Sequence, residues 1–164
     1  MFEGFIPAPP RRVRRKQRIV VTLGTNPYGF RRLLERLVEI VPEDADVLWQ
    51  TGSTDTWGLD IDARPSLPAT ELDRALSRAD LVIAHSGCGS ALCALESGIK
   101  PILVPRRSRF GEHVDDHQRE LANALSARKL AFAREVEDLT EDELVAAMGS
   151  RVACAEDAPP FELA

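Results

Sequence analysis

The stretch from Ala79 to Val104 constrains the fold more than any other. Two short apolar runs, Ala79-Asp80-Leu81-Val82-Ile83-Ala84 and Pro101-Ile102-Leu103-Val104, flank a turn of small residues and a helix-forming segment. Continuous apolar runs of this length suit strands of a parallel sheet, which are covered on both faces. Between them, His85-Ser86-Gly87-Cys88-Gly89-Ser90 supplies the turn and Ala91 to Ser97 the helix, with Gly98 at its C-terminal end. Gly87 and Gly89 let a ligand approach the backbone, and free N–H groups at a helix start favour phosphate. Ser90 adds a hydroxyl at or near the N-cap. The geometry suits a diphosphate.

The same order of elements occurs upstream. Arg18 to Leu23 is a first strand, Gly24-Thr25-Asn26-Pro27-Tyr28-Gly29 a loop, and Phe30 to Val41 a helix. Its apolar residues, Phe30, Leu33, Leu34, Leu37, Val38 and Val41, recur at helical spacing. Ala45 to Thr51 is a second strand, Ile61 to Pro68 is irregular, and Thr70 to Arg78 is an amphipathic helix. After the polar 105–118 segment, Asp115 to Ala127 is expected to be helical, with Leu121, Ala124 and Leu125 facing the core. Leu130 to Ala133 is a last short strand, and Thr140 to Glu143 begins a capped helix. This alternation predicts an α/β fold: a doubly wound parallel sheet, Rossmann-like, with ligand at the carboxyl ends of the strands.

A chain of 164 residues with 44% hydrophobic content is expected to form one domain. Residues 18–150 are its predicted extent, residues 1–17 a basic, proline-rich arm or linker, and 151–164 a loosely ordered tail. Arg11, Arg12, Arg14, Arg15, Lys16 and Arg18 lie in or beside the arm, where Glu3 is the only acidic residue. The net charge is −5, so a basic arm precedes an acidic body. Such an arm is either a solvated linker or a contact for an anionic membrane surface. No aromatic residues interleave the arginines, which argues against nucleic acid. Three cysteines without framework spacing, no signal peptide and no apolar run of membrane-helix length lead to a cytoplasmic expectation, peripheral to the membrane at most.

Beyond the glycine turn, the pattern continues as Gly98-x-x-Pro101, Val104-Pro105, and then Gly111-Glu112-His113-Val114-x-Asp116-His117-Gln118. From about Ile19 to Leu130 this order resembles the donor-binding half of GT-B glycosyltransferases, most closely the family-28 C-terminal domain. Within that family it is similar to the small separate subunits of the Alg13 and PssE type. The resemblance implies the C-terminal half of a GT-B fold and sugar transfer from a nucleotide-diphosphate sugar, with UDP the expected nucleotide. It implies no cofactor and no metal, because helix N-termini take the metal's place. It also implies a membrane-associated partner subunit or further domain that holds a polysaccharide, lipid-linked or other acceptor and supplies the catalytic base.

The resemblance assigns Gly24, Thr25, His85, Gly87, Gly89 and Ser90 to the donor diphosphate, with Arg106 added from the basic loop Arg106, Arg107, Arg109. It assigns Glu112, Asp116, His117 and Gln118 to the donor sugar. One position departs from the pattern. The family's ribose-binding glutamate falls at Cys93, and Glu96, one turn on, is the candidate replacement. Trp49 and Trp57 are candidates to stack on a base, although a tryptophan in a strand, as Trp49 is, is more often a core residue. Two other readings stay open on the residues alone. One is a nucleotide-binding subunit without activity. The other is a zinc protein using His85, Cys88, His113 and His117, whose spacing imitates a metal site.

Overall fold

The computed structural model describes residues 15–152. The arm is therefore described only from Arg15, and the tail beyond Val152 lies outside the described residues. β1 (Arg18–Thr22), β2 (Asp46–Gln50), β3 (Ala63–Arg64), β4 (Leu81–His85), β5 (Ile102–Val104) and β6 (Phe132–Ala133) form one sheet. Its strand order is β3-β2-β1-β4-β5-β6, and every pairing is parallel. Among the described residues five α-helices accompany it: α1 (Arg31–Ile40), α2 (Ala69–Arg78), α3 (Cys88–Glu96), α4 (His117–Ala127) and α5 (Glu141–Ala147). The doubly wound, Rossmann-like expectation holds in class and in layout.

Alternation along the strands explains the two layers. Ile19, Val21, Leu81 and Ile83 join Leu33, Leu34 and Leu37 of α1 and Leu144 of α5 in one core. Val20, Val82 and Ala84 face the other way, against Leu76 of α2, Ala91 and Ala94 of α3, and Ala122 of α4. Successive strand residues point to opposite faces, so an unbroken apolar run feeds both cores. Order reverses between β1 and β4, which lie side by side while their helices leave to opposite faces. That is the switch point, where a crevice opens beyond the strand ends.

Several local expectations need correction. α3 begins at Cys88 rather than Ala91, its N-cap is Gly87, and Ser90 is its third residue. The helix therefore includes Gly89, because the first turn projects toward the cleft and needs no packed side chain. Gly98 follows the C-cap Ser97 with φ +74°, as a left-handed helix stop requires. α4 begins at His117, and its core face carries Gln118, Ala122 and Leu125, with Ala124 exposed. Val38 is likewise exposed while Ile40 is buried. Ile61–Pro68 contains the short edge strand β3. Trp49 is core and Trp57 is solvent-exposed. Thr140 does cap α5, its side chain accepting from the Glu143 N–H.

At the ends of the described chain, local contacts are specific. Arg15 donates to both oxygens of Asp80, and the Arg18 N–H joins them. Arg151 bridges Ile99, and the Val152 N–H donates to Gly98 O. Residues 151–152 are thus tied to the end of α3, where unpaired backbone was available.

Candidate functional site

A cleft of about 380 Å³ opens at the switch point. Thr22, Gly24, Thr25 and Asn26 line it from β1 and its loop, and His85, Gly89, Ser90 and Cys93 from β4 and α3. Gln50 closes one side, and Leu67, Leu72 and Leu76 make an apolar wall. Five residues expected at a diphosphate, Gly24, Thr25, His85, Gly89 and Ser90, therefore line one cavity. The N-cap of α3 makes no side-chain hydrogen bond, so its first-turn N–H groups have no side-chain acceptor. A helix start of this kind carries a partial positive charge and suits an anion.

His85 is the spacer between the two loops. A Cβ on Gly24 would lie 2.5 Å from its Cε1, and one on Gly87 would lie 2.2 Å from its Nε2. Glycine is needed on both sides because the ring already fills the space. Ring Nδ1 lies 3.4 Å from Ser90 Oγ and 3.5 Å from Thr22 O. Burial, then the neighbouring positive charge of Arg106, lowers the His85 pKa from 6.5 to about 4. The imidazole is neutral at physiological pH, so it offers a hydrogen bond and no charge.

That shift has a measurable consequence. Because the folded-state pKa is depressed, the unfolded chain binds the extra proton between about pH 6.5 and pH 4. The His85 contribution to stability is present above that window and is lost as pH falls through it. The full shift corresponds to on the order of 3 kcal/mol. Urea unfolding of the wild type and of His85→Gln across this window should diverge, with the wild type losing more stability toward acid. Parallel pH profiles would remove the buried neutral imidazole from the account.

Gln50, at the carboxyl end of β2, holds the first loop. Its Oε1 accepts from Thr22 Oγ1 at 2.7 Å and from the Gly24 N–H at 3.0 Å, and its Nε2 donates to Gly24 O at 2.8 Å. Sequence reading missed it. The available signal was a polar side chain at the end of an otherwise apolar parallel strand.

Other expected site residues are placed differently. Arg106 does not line the cleft: it is 1% exposed and donates to Leu23 O, Tyr28 O and Gly29 O. Its guanidinium supports the back of the β1–α1 loop, because those loop carbonyls lack strand partners. Glu112 is buried, accepting from Arg32 through both oxygens at 3.0 Å and from the Arg107 N–H. Asp116 accepts from Ser108 N and Oγ and from Arg107, and the Ser108 bonds hold its carboxyl below the usual range. Gln118 Oε1 accepts from the Arg106 N–H. Much of the acidic and amide capacity of the 105–118 segment is thus used in folding it. Glu96 is exposed at the end of α3, outside the cleft lining, whereas Cys93 lies in it.

The four-residue zinc set is not assembled. Among the described residues, the one group of three or more metal-ligating side chains is His113, Asp115 and His117, without His85 or Cys88. No helix of the described residues is long and apolar enough to cross a membrane.

The model of the Glycosyltransferase family 28 C-terminal domain matches residues 18–153. A curated relative from Cryptococcus neoformans var. neoformans serotype D, described as UDP-N-acetylglucosamine transferase subunit ALG13, is 38% identical over 73 residues. That match covers 43% of this chain and 34% of the relative, so it spans about a third of the relative's length. Among solved structures, the glycosyltransferase SnogD from Streptomyces nogalater aligns at TM-score 0.63 and 23% identity, over 90% of this chain and 39% of that one. Acinetobacter baumannii MurG aligns at TM-score 0.55 and 22% identity, over 81% and 40%. These two likenesses concern the fold.

Proposed function

The chain belongs to the glycosyltransferase family 28 C-terminal domain family, and from that premise we propose that it binds the nucleotide-diphosphate sugar for a sugar transfer whose acceptor is held elsewhere. One observation carries this reading: the Gly24 loop and the uncapped start of α3 face each other across the cleft, spaced by a neutral histidine. The diphosphate lies between Gly24, Thr25, Gly87, Gly89 and Ser90. UDP is the expected nucleotide, as the name of the Cryptococcus relative specifies for that protein.

Bond breaking at the sugar leaves negative charge on the departing diphosphate. The α3 N-terminus and the Ser90 hydroxyl stabilise it as it develops, in place and without reorganisation. His85 fixes the separation of the two loops and offers a neutral hydrogen bond. Cys93 and the Leu67, Leu72 and Leu76 wall face the nucleoside. The donor sugar lies toward His117 and Gln118, beside the loop that Glu112 and Asp116 shape. A base and an acceptor come from a partner subunit or a further domain, as the term "subunit" in the relative's name suggests.

Labelled transfer from UDP-N-acetylglucosamine to a polyprenyl-linked acceptor tests this. We expect transfer when an acceptor-binding partner is added and none by this chain alone, because one positioned substrate forgoes the gain from orienting two. Rapid transfer by the isolated chain would overturn the division of labour.

A further inference from the structure

We propose that the nucleoside end of the cleft does not read the ribose 2′-hydroxyl, so that the chain takes ribonucleoside and 2′-deoxyribonucleoside diphosphate sugars alike, with Cys93 the residue that sets this tolerance. The inference rests on the donor site proposed above and specifies its substrate class.

The cleft has two kinds of wall. Around the Gly24 loop and the start of α3 its lining is polar, whereas Leu67, Leu72, Leu76 and Cys93 make an apolar side. Cys93 and Leu72 pack against the same buried cluster as Leu76, where α2 meets α3. Among the described residues no carboxylate lines the cleft, and Glu96 is exposed outside it. A thiol is a small apolar group with a weak donor and a weak acceptor.

The remaining acceptors are already engaged. Gln50 Oε1 accepts from the Thr22 hydroxyl and the Gly24 N–H, and its Nε2 donates to Gly24 O and Pro65 O. Asn26 Oδ1 accepts from the Tyr28 N–H. The Cys93 carbonyl takes the N–H and the hydroxyl of Ser97. Thr25 and Ser90 supply the other hydroxyls, and both belong to the diphosphate end. A site that hydrogen-bonds a hydroxyl strongly rejects the analogue lacking it, because its own polar groups are left unpaired. An apolar wall leaves nothing unpaired, so it discriminates weakly. Cys93 is itself half-buried, so a hydroxyl beside it keeps access to water and ribose is not excluded.

The test titrates the full chain, kept reduced, with UDP and with 2′-deoxy-UDP. We expect both to bind, with affinities less than about fivefold apart. Cys93→Ala should keep that ratio, and Cys93→Glu should raise the preference for UDP above about tenfold by adding a carboxylate acceptor. In the wild type, alkylation of Cys93 by iodoacetamide, followed by peptide mass, should be slowed equally by saturating amounts of either nucleotide. A wild-type preference for UDP of about fivefold or more, an unchanged ratio in a folded Cys93→Glu, or unprotected Cys93 in the UDP complex would overturn the inference and leave the donor site standing. No binding of either nucleotide at millimolar concentration would overturn the donor site, and this inference with it.

Discussion

Arg106→Met should cost the protein about 4 kcal/mol of stability, the largest loss expected from any single change described here. The side chain is fully buried, and its donors satisfy the carbonyls of Leu23, Tyr28 and Gly29. Methionine fills similar volume but leaves three acceptors without donors, the Leu23 carbonyl buried and those of Tyr28 and Gly29 partly so, and unmet buried groups cost about 1–3 kcal/mol each. Relaxation and water entry recover part of that sum. The melting temperature should fall by roughly 10 °C for a domain of this size. Burial lowers the Arg106 pKa to about 10, so the group stays charged at neutral pH and its loss has the same effect throughout that range. Lysine should not rescue, since a point ammonium cannot reach three diverging carbonyls as a guanidinium fork does. A variant that melts like the wild type but loses nucleotide would return Arg106 to the phosphate.

The contrast between Arg106 and the α3 turn shows what a sequence of this kind discloses. The β4–α3–β5 unit was legible because each part has a local cause. Apolar runs are buried on both faces, small residues make the turn, and Gly98 stops the helix. Gln50 and Arg106 had no such local sign. Each acts over long sequence separations, on carbonyls whose lack of partners appears only once β2 lies beside β1 and β5 stands across β4 from it. The 105–118 segment was legible as a polar functional loop, but its internal ion pairs were not. Arg32 reaches Glu112 from another helix, and Gly111, with φ +68°, closes the turn that presents it. The ribose position could be read only as a departure: Cys93 lies in the cleft and Glu96 does not.

Gly89→Val should abolish nucleotide binding and leave the fold intact. A Cβ at Gly89 meets nothing within 4 Å, and the residue lines the cleft in the first turn of α3. The new side chain therefore enters the space assigned to the phosphates and strains nothing around it. Glycine is among the poorest helix residues, so valine costs no helix stability and gains a few tenths of a kcal/mol. A loss of affinity of at least about tenfold, or 1.4 kcal/mol, is the expected effect. Ser90→Ala should weaken binding less, removing one hydroxyl and no backbone donor. The pairing of an unchanged melting temperature with lost affinity separates this change from Arg106→Met, where stability itself falls.

Calorimetric titration of the full chain with UDP and with uridine, on the wild type and on Gly89→Val, tests the central claim most directly. The cleft reading predicts a single-site isotherm for UDP, at least about tenfold weaker binding of uridine, and no UDP binding by Gly89→Val. Equal affinities for UDP and uridine, wild-type affinity in the variant, or no heat from UDP at millimolar concentration would contradict a diphosphate site between the Gly24 loop and α3.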